Sequence, residues 1–204
     1  MMMTNQGFFL LKSRLTKAVQ QEILAAARAI VKQAPLFRPT MANGQSFNYS
    51  MTNCGNLGWV ADRHGYRYQE THPETFKIFP AMPQVILELA ITLAKETSNH
   101  NFQPQSCLIN FYNKGEKLGM HQDNTENNLT APIISISLGD SGIFVLGGKR
   151  CNDETKQYIV QSGDVVVMGG ESRNFFHAFK GTVPNTSNLL KNGGRLNLTL
   201  RQVN

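Results

Sequence analysis

A histidine and an aspartate one residue apart, His121-Gln122-Asp123, form a pair whose types and spacing could do chemistry. In extended backbone, alternate side chains point the same way, so this imidazole and this carboxylate share a face. A second imidazole brought in from a distance completes two nitrogens and one carboxylate. That donor set suits iron(II) and leaves open positions for substrate and oxygen. His177 is the candidate, because it lies in a β-type run between Phe176 and Phe179. On these residues alone a zinc hydrolase with the same ligands stays open, as does chance. The other histidines, His64, His72 and His100, sit in polar stretches and are expected to be ordinary surface or loop residues.

The carboxyl-terminal run Arg195-Leu196-Asn197-Leu198-Thr199-Leu200-Arg201 alternates without a break. Arg195, Asn197, Thr199 and Arg201 share one face of a strand, and the leucines face a core. The polar face either lies in water or lines a site. The two guanidinium groups, roughly 20 Å apart along a strand, can reach inward to opposite ends of a small dicarboxylate and pair with it as forks. Cys107–Tyr112 offers a matching strand, with Leu108, Asn110 and Tyr112 on one side, so Asn110 and Tyr112 can add neutral hydrogen-bonding groups to the same ligand.

Two helices and a series of short strands must position these groups. The first helix is expected from about Thr16 to Ala34, with Leu15, Val19, Ile23, Ala26 and Ile30 at helical spacing and Pro35 as its stop. The second begins near Pro83 and carries Val85, Ile86, Leu87, Leu89, Ala90 and Leu93. A short strand at Phe8–Leu11 precedes the first helix. From Ser106 onward the runs Cys107–Tyr112, Ile133–Leu138, Ile143–Leu146, Gln157–Gln161, Val165–Met168, Asn174–Phe179 and Arg195–Arg201 are separated by Gly-rich turns. Such spacing points to a mainly β, α+β jelly roll with the helices covering one face. The stretch 41–80, rich in Gly, Asn, Tyr and Pro, has no clear period and reads as a functional segment or as unresolved short strands.

Composition narrows the classes. The chain has 204 residues, 41% hydrophobic and 17% charged, which fits one globular domain and excludes disorder. No apolar run approaches the roughly 20 residues that span a bilayer. Phe8-Phe9-Leu10-Leu11 is too short for a signal-peptide core. Three cysteines without a CxxC spacing argue against a disulfide scaffold and favour a reducing, cytoplasmic setting. A net charge of +6 favours a polyanionic partner. Nothing signals a repeat or an oligomer, and a monomer is expected.

Taken together, the residues resemble the AlkB family of iron(II)- and 2-oxoglutarate-dependent nucleic-acid demethylases. The resemblance rests on Met51-Thr52-Asn53-Cys54-Gly55, Gly58-Trp59, Pro80-Ala81-Met82-Pro83-Gln84, Cys107-Leu108-Ile109-Asn110, His121-Gln122-Asp123, Gly163-Asp164-Val165-Val166-Val167, Gly169-Gly170-Glu171-Ser172-Arg173, and Asn197-Leu198-Thr199 with Arg201. It runs in order from about residue 7 to the end.

The resemblance implies a double-stranded β-helix, a single catalytic domain over 1–204, and a nucleotide-recognition lid at about 41–80. It implies iron held by His121, Asp123 and His177, with 2-oxoglutarate and dioxygen as co-substrates. Asn110, Tyr112, Arg195, Asn197 and Arg201 match the co-substrate contacts, Arg195 at the distal carboxylate and Arg201 at the metal end. The implied reaction hydroxylates the N-methyl group of N1-methyladenine or N3-methylcytosine and releases formaldehyde, succinate and carbon dioxide. Methylated DNA, single- or double-stranded, is the expected partner, with RNA as an additional candidate. Trp59 matches the residue that stacks on the extruded base, and Tyr66, Arg67 and Tyr68 match the nucleotide-facing segment.

Three positions depart from the family pattern. Thr125 stands where the bacterial proteins carry an acid at the base edge, with Glu126 beside it as a candidate substitute. Cys151 replaces an arginine, so Arg150 is the nearest basic replacement, and Met168 replaces a tryptophan near the co-substrate. Within this chemistry, an RNA demethylase or a protein hydroxylase is the alternative. A non-catalytic binder of damaged nucleic acid, needing charge and stacking but no metal, is another.

Overall fold

Thr16 opens helix α1 (Lys17–Gln33): its side chain accepts a hydrogen bond from the Val19 amide, which supplies one donor of the first turn with a partner. The helix stops where Ala34 turns extended (φ −124°, ψ 89°), the conformation preferred before a proline. Ile23, Leu24, Ala27 and Ile30 form its buried stripe. Helix α2 (Gln84–Glu96) has Pro83 at its N-cap and buries Ile86, Ala90, Leu93 and Ala94. The computed structural model describes residues 2, 3 and 6–204.

Among the described residues, thirteen strands accompany the helices. In order they are β1 (Met2–Met3), β2 (Phe8–Leu11), β3 (Ser50–Gly55), β4 (Gly58–Asp62), β5 (Gly65–Gln69), β6 (Ser106–Tyr112), β7 (Leu118–His121), β8 (Ile133–Gly139), β9 (Ser141–Leu146), β10 (Lys156–Val160), β11 (Val165–Met168), β12 (His177–Val183) and β13 (Arg195–Arg201). A seven-stranded antiparallel sheet has the order β1-β2-β11-β8-β13-β6-β3. A four-stranded sheet, β10-β9-β12-β7, lies against it, and β4 and β5 form a separate hairpin. This is the mainly β jelly roll expected.

The large sheet has two different faces because its strands alternate. Leu196, Leu198 and Leu200 of β13 join Cys107 and Ile109 of β6 and Ile134, Ile136 and Leu138 of β8 in one core with the two helices. The other face looks toward the four-stranded sheet. There Phe8, Leu10, Ile133, Val166 and Met168 meet Leu146, Val160 and Phe175. At β13, then, one face is sealed by helices and the opposite face lines an interior.

Two expectations need correction. Ser50–Gly55, inside the stretch assigned to the lid, is the edge strand of the large sheet, paired with β6 from Ser50↔Phe111 to Gly55↔Ser106. His72 lies in a loop, one of the two settings expected for it, but is not at the surface, being 1% exposed. Its Nε2 contacts the Pro35 carbonyl at 2.8 Å, and its Nδ1 accepts from the Glu74 and Thr75 amides. It pins a loop through backbone groups that no periodic pattern announces.

Candidate active site

His121 ends β7 and His177 begins β12, and the two are register partners across that antiparallel pair. Strand pairing alone therefore brings together two imidazoles that are far apart in sequence, with ring centroids 4.3 Å apart. Asp123, two residues beyond His121, completes the group. Its Oδ1 is 3.6 Å from His121 Nε2 and its Oδ2 is 3.8 Å from His177 Nε2. One ligand atom from each of the three residues lies within 4.8 Å of the others. Each ring has its Nδ1 at a backbone carbonyl, Gly119 for His121 at 2.8 Å and Phe175 for His177 at 3.0 Å. With Nδ1–H donating there, Nε2 presents its lone pair to the common point, the arrangement that orients a metal-ligating histidine.

Electrostatics agree. Burial, followed by the neighbouring His121, pushes the His177 pKa down to about 4, so the ring is neutral at physiological pH. Burial of Asp123 works against its ionisation, but Arg201 and the two imidazoles outweigh that cost and hold the carboxyl well below the usual range. A neutral imidazole at His177 and an ionised carboxylate at Asp123 suit the nitrogen and oxygen donor set that iron(II) takes.

Strand β13 supplies the rest of the wall. Arg195, Asn197, Thr199 and Arg201 line one cavity of about 210 Å³ together with the metal triad, Asn110 and Tyr112. Arg195 is 3% exposed, and only its Nη2 has a hydrogen bond, to Ser137 Oγ at 2.7 Å. Its Nε and Nη1, and Asn110 Oδ1, have no hydrogen-bond partner among the described residues. Burial lowers the Arg195 pKa to about 10, which leaves it cationic. A buried guanidinium with two unused donors is costly unless an anion binds there, so the wall fits a ligand ending in a carboxylate. The fit depends on Gly142 of β9: a Cβ at that position would meet the Phe179 ring at 2.3 Å and Arg195 Cδ at 3.1 Å. Its absence lets the guanidinium lie 5.2 Å from the centroid of that ring. At the other end Arg201 Nη2 donates to Asp123 Oδ2 at 2.7 Å.

Residues 7–201 match the family model of the 2OG-Fe(II) oxygenase superfamily. The chain is 41% identical to the alpha-ketoglutarate-dependent dioxygenase AlkB of Escherichia coli, over 89% of this chain and 84% of that one. It is 38% identical to an AlkB homolog of Caulobacter vibrioides over 96% of this chain and 87% of that one. The chain belongs to the AlkB family. A solved structure, that of OsALKBH1, superposes with a TM-score of 0.83 at 28% identity, covering 98% of this chain and 99% of that one. Iron(II), 2-oxoglutarate and dioxygen are the family's cofactor and co-substrates, and the His121–Asp123–His177 group fits the metal.

As an AlkB-family oxygenase, the protein needs a surface for its substrate, and the hairpin β4–β5 stands at the cavity. Trp59 and Tyr66 line it, their rings stacked with centroids 5.4 Å apart and an interplanar angle of 27°. Trp59 is fixed at both ends. Its backbone N–H and C=O pair with the Asn53 carboxamide at 3.0 and 2.9 Å, and its indole Nε1 donates to Thr125 Oγ1 at 3.4 Å.

Three residues matched to substrate contacts are placed differently. Arg67 is held by Asp62 through two hydrogen bonds of 3.0 and 2.8 Å. The Tyr68 hydroxyl points inward and donates to Glu126 Oε1. Arg150 is exposed, pairs with Asp153 at 2.8 Å, and lines a separate depression with Lys149 and Tyr158. Glu126 does not substitute for an acid at the base edge, because its side chain is 1% exposed and both oxygens are engaged, by Tyr68 and by Arg173.

Arg173 is the site residue that sequence reasoning passed over. It is 1% exposed, donates to the Ala131 and Asp123 carbonyls, and pairs with Glu126 at 2.9 Å. Its signal was present in the Gly169–Arg173 motif, but only burial reveals that this arginine holds the loop carrying a metal ligand. Asn53 is similar: it reads as a polar strand residue and acts as the seat of Trp59.

Proposed function

We propose that this dioxygenase removes N-methyl groups from nucleic-acid bases, N1-methyladenine and N3-methylcytosine in DNA first, with RNA as a second substrate. One observation carries the reading: the metal triad, an anion-seeking arginine and a paired indole–phenol platform face a single cavity. Bound iron(II), with 2-oxoglutarate and dioxygen, supplies the oxidation of the methyl carbon, and the products are formaldehyde, succinate and carbon dioxide.

The chain's own residues account for the rest. Arg195 and its register partner Tyr112 orient the co-substrate's distal end, with Asn197 and its partner Asn110 along its length, and Arg201 steadies the end near Asp123. Burial of Arg195, Asn110, Tyr112 and Arg201 lowers the local dielectric and strengthens these pairings. A base inside a duplex must leave the stack to reach His121, and Trp59 offers the apolar plane that receives it, worth about 1–3 kcal/mol. Tyr66 backs that plane from the mouth of the cavity.

The test is mass spectrometry of an oligonucleotide carrying N1-methyladenine or N3-methylcytosine, incubated with protein, iron(II), 2-oxoglutarate and ascorbate. Loss of one methyl group is expected, and none with His121→Ala. Succinate formation with every methylated oligonucleotide left intact would move the substrate elsewhere.

A further inference from the structure

The base of the cavity contains a ring of alternating charges. Asp123 Oδ2 accepts from Arg201 Nη2 at 2.7 Å, and Arg201 Nε lies 3.3 Å from Glu126 Oε1. Glu126 Oε2 accepts from Arg173 Nη2 at 2.9 Å, and Arg173 Nη1 returns to the Asp123 carbonyl. All four side chains are buried. The hairpin adds one member, Tyr68 of β5, whose hydroxyl donates to Glu126 Oε1, the same oxygen that faces Arg201. Although Arg201 Nε is within ion-pair distance of that oxygen, it makes no hydrogen bond among the described residues. Tyr68 holds the better geometry on a shared acceptor.

We infer that Tyr68 is a positioning residue through which the hairpin and the metal end of the cavity sense each other. With the hairpin seated, Tyr68 occupies Glu126 Oε1 and Arg201 is left to Asp123 and to a ligand carboxylate beside it. With Tyr68 withdrawn on the more exposed strand β5, Glu126 Oε1 is released to Arg201 Nε and draws the guanidinium away from Asp123. The two arrangements make different contacts, which any coupling between two binding events requires. Linkage then makes the effect reciprocal: a substrate that seats the hairpin tightens 2-oxoglutarate, and 2-oxoglutarate tightens the substrate. The inference rests on the reading that a methylated nucleic acid binds against the hairpin.

The experiment uses the full chain with manganese(II), which fills the site without turnover. A fluorescein-labelled oligonucleotide bearing N1-methyladenine is titrated by anisotropy with and without 2-oxoglutarate. Calorimetry of 2-oxoglutarate with and without the oligonucleotide gives the reverse arm. Wild type is expected to show the same tightening in both arms, about fivefold or more, and Tyr68→Phe to bring it within about twofold of none. Tyr68→Phe removes one hydroxyl and keeps the ring. A merely structural role would lower its melting temperature and leave the coupling intact, and that result overturns the inference. So does a wild type with no coupling. Failure of the oligonucleotide to bind at all, while 2-oxoglutarate still binds, overturns the nucleic-acid reading and this inference with it.

Discussion

Strand β13 and the β4–β5 hairpin contribute to the same cavity and are built in opposite ways. β13 is paired along both edges, to β6 from Arg195↔Tyr112 to Arg201↔Ser106 and to β8 from Arg195↔Gly139 to Leu200↔Ile134. Its leucines seal a helix-covered core, and Leu198 and Leu200 are fully buried. The hairpin's strands pair only with each other, and Tyr66 is 55% exposed. What must be held in fixed geometry, the anion and the metal end, is mounted on the doubly paired strand. What faces the substrate is mounted on a hairpin whose inner strand β4 packs against the core through Val60 and Ala61 while its outer strand β5 stays partly exposed.

Substitutions on the two elements should therefore fail differently, and they can be ranked. Leu198→Ala on β13 is expected to cost about 2–5 kcal/mol of stability, read from urea unfolding. A loss under about 1 kcal/mol would show that the wall is less rigid than its pairing implies. Arg195→Met should weaken 2-oxoglutarate binding by about 30-fold or more while leaving the ligand-free melting temperature unchanged or higher, because it removes a buried charge with unused donors. A lower melting temperature together with intact binding would reverse the assignment of Arg195. Trp59→Ala on the hairpin should cost about 1–3 kcal/mol in oligonucleotide affinity and leave global unfolding almost unchanged; a large stability loss would place the indole in the core instead.

The smallest effect belongs to Arg67→Gln, where the exposed pair with Asp62 predicts a change below about 1 kcal/mol. Hydrogen bonds from Arg67 and from the His64 amide depress the Asp62 pKa to about 2. A depressed carboxyl stabilises the fold above its unfolded value and loses that contribution as pH falls through about 2, so the pair should persist through pH 5. Titration of the Asp62 carboxyl by NMR checks it: in Arg67→Gln the midpoint should rise toward the ordinary range.

The same contrast explains what the sequence disclosed. β13 could be read to the residue because one face meets leucine-rich core and the other a polar site, which is the condition for clean alternation. His121 and Asp123 were legible from residue type and spacing alone, since Asp123 lies just past the end of β7. β3 was hidden because Met51 through Gly55 are all buried, with polar Thr52 and Asn53 bonded to the Ala34 carbonyl and the Trp59 backbone. Burial on both faces erases the period. The hairpin strands were missed because each is only five residues long, and neither alternates: β4 is buried along most of its length, Val60 and Ala61 included, while β5 is partly exposed throughout. Arg67 and Arg150 show the limit of charge counting: sequence supplies a cation but not the acid that already holds it. His72 and Arg173, polar by type, take their roles from backbone carbonyls and amides, which carry no sequence signature.

The chain has one tryptophan, and it stands at the mouth of the cavity with its indole N–H on Thr125. Excited at the long-wavelength edge of the indole band, where the five tyrosines barely absorb, the protein's emission therefore reports a single place. A shift in colour or a quench on adding any compound describes the surroundings of Trp59, with no background from elsewhere to subtract, so occupancy of this enzyme can be followed without attaching a dye.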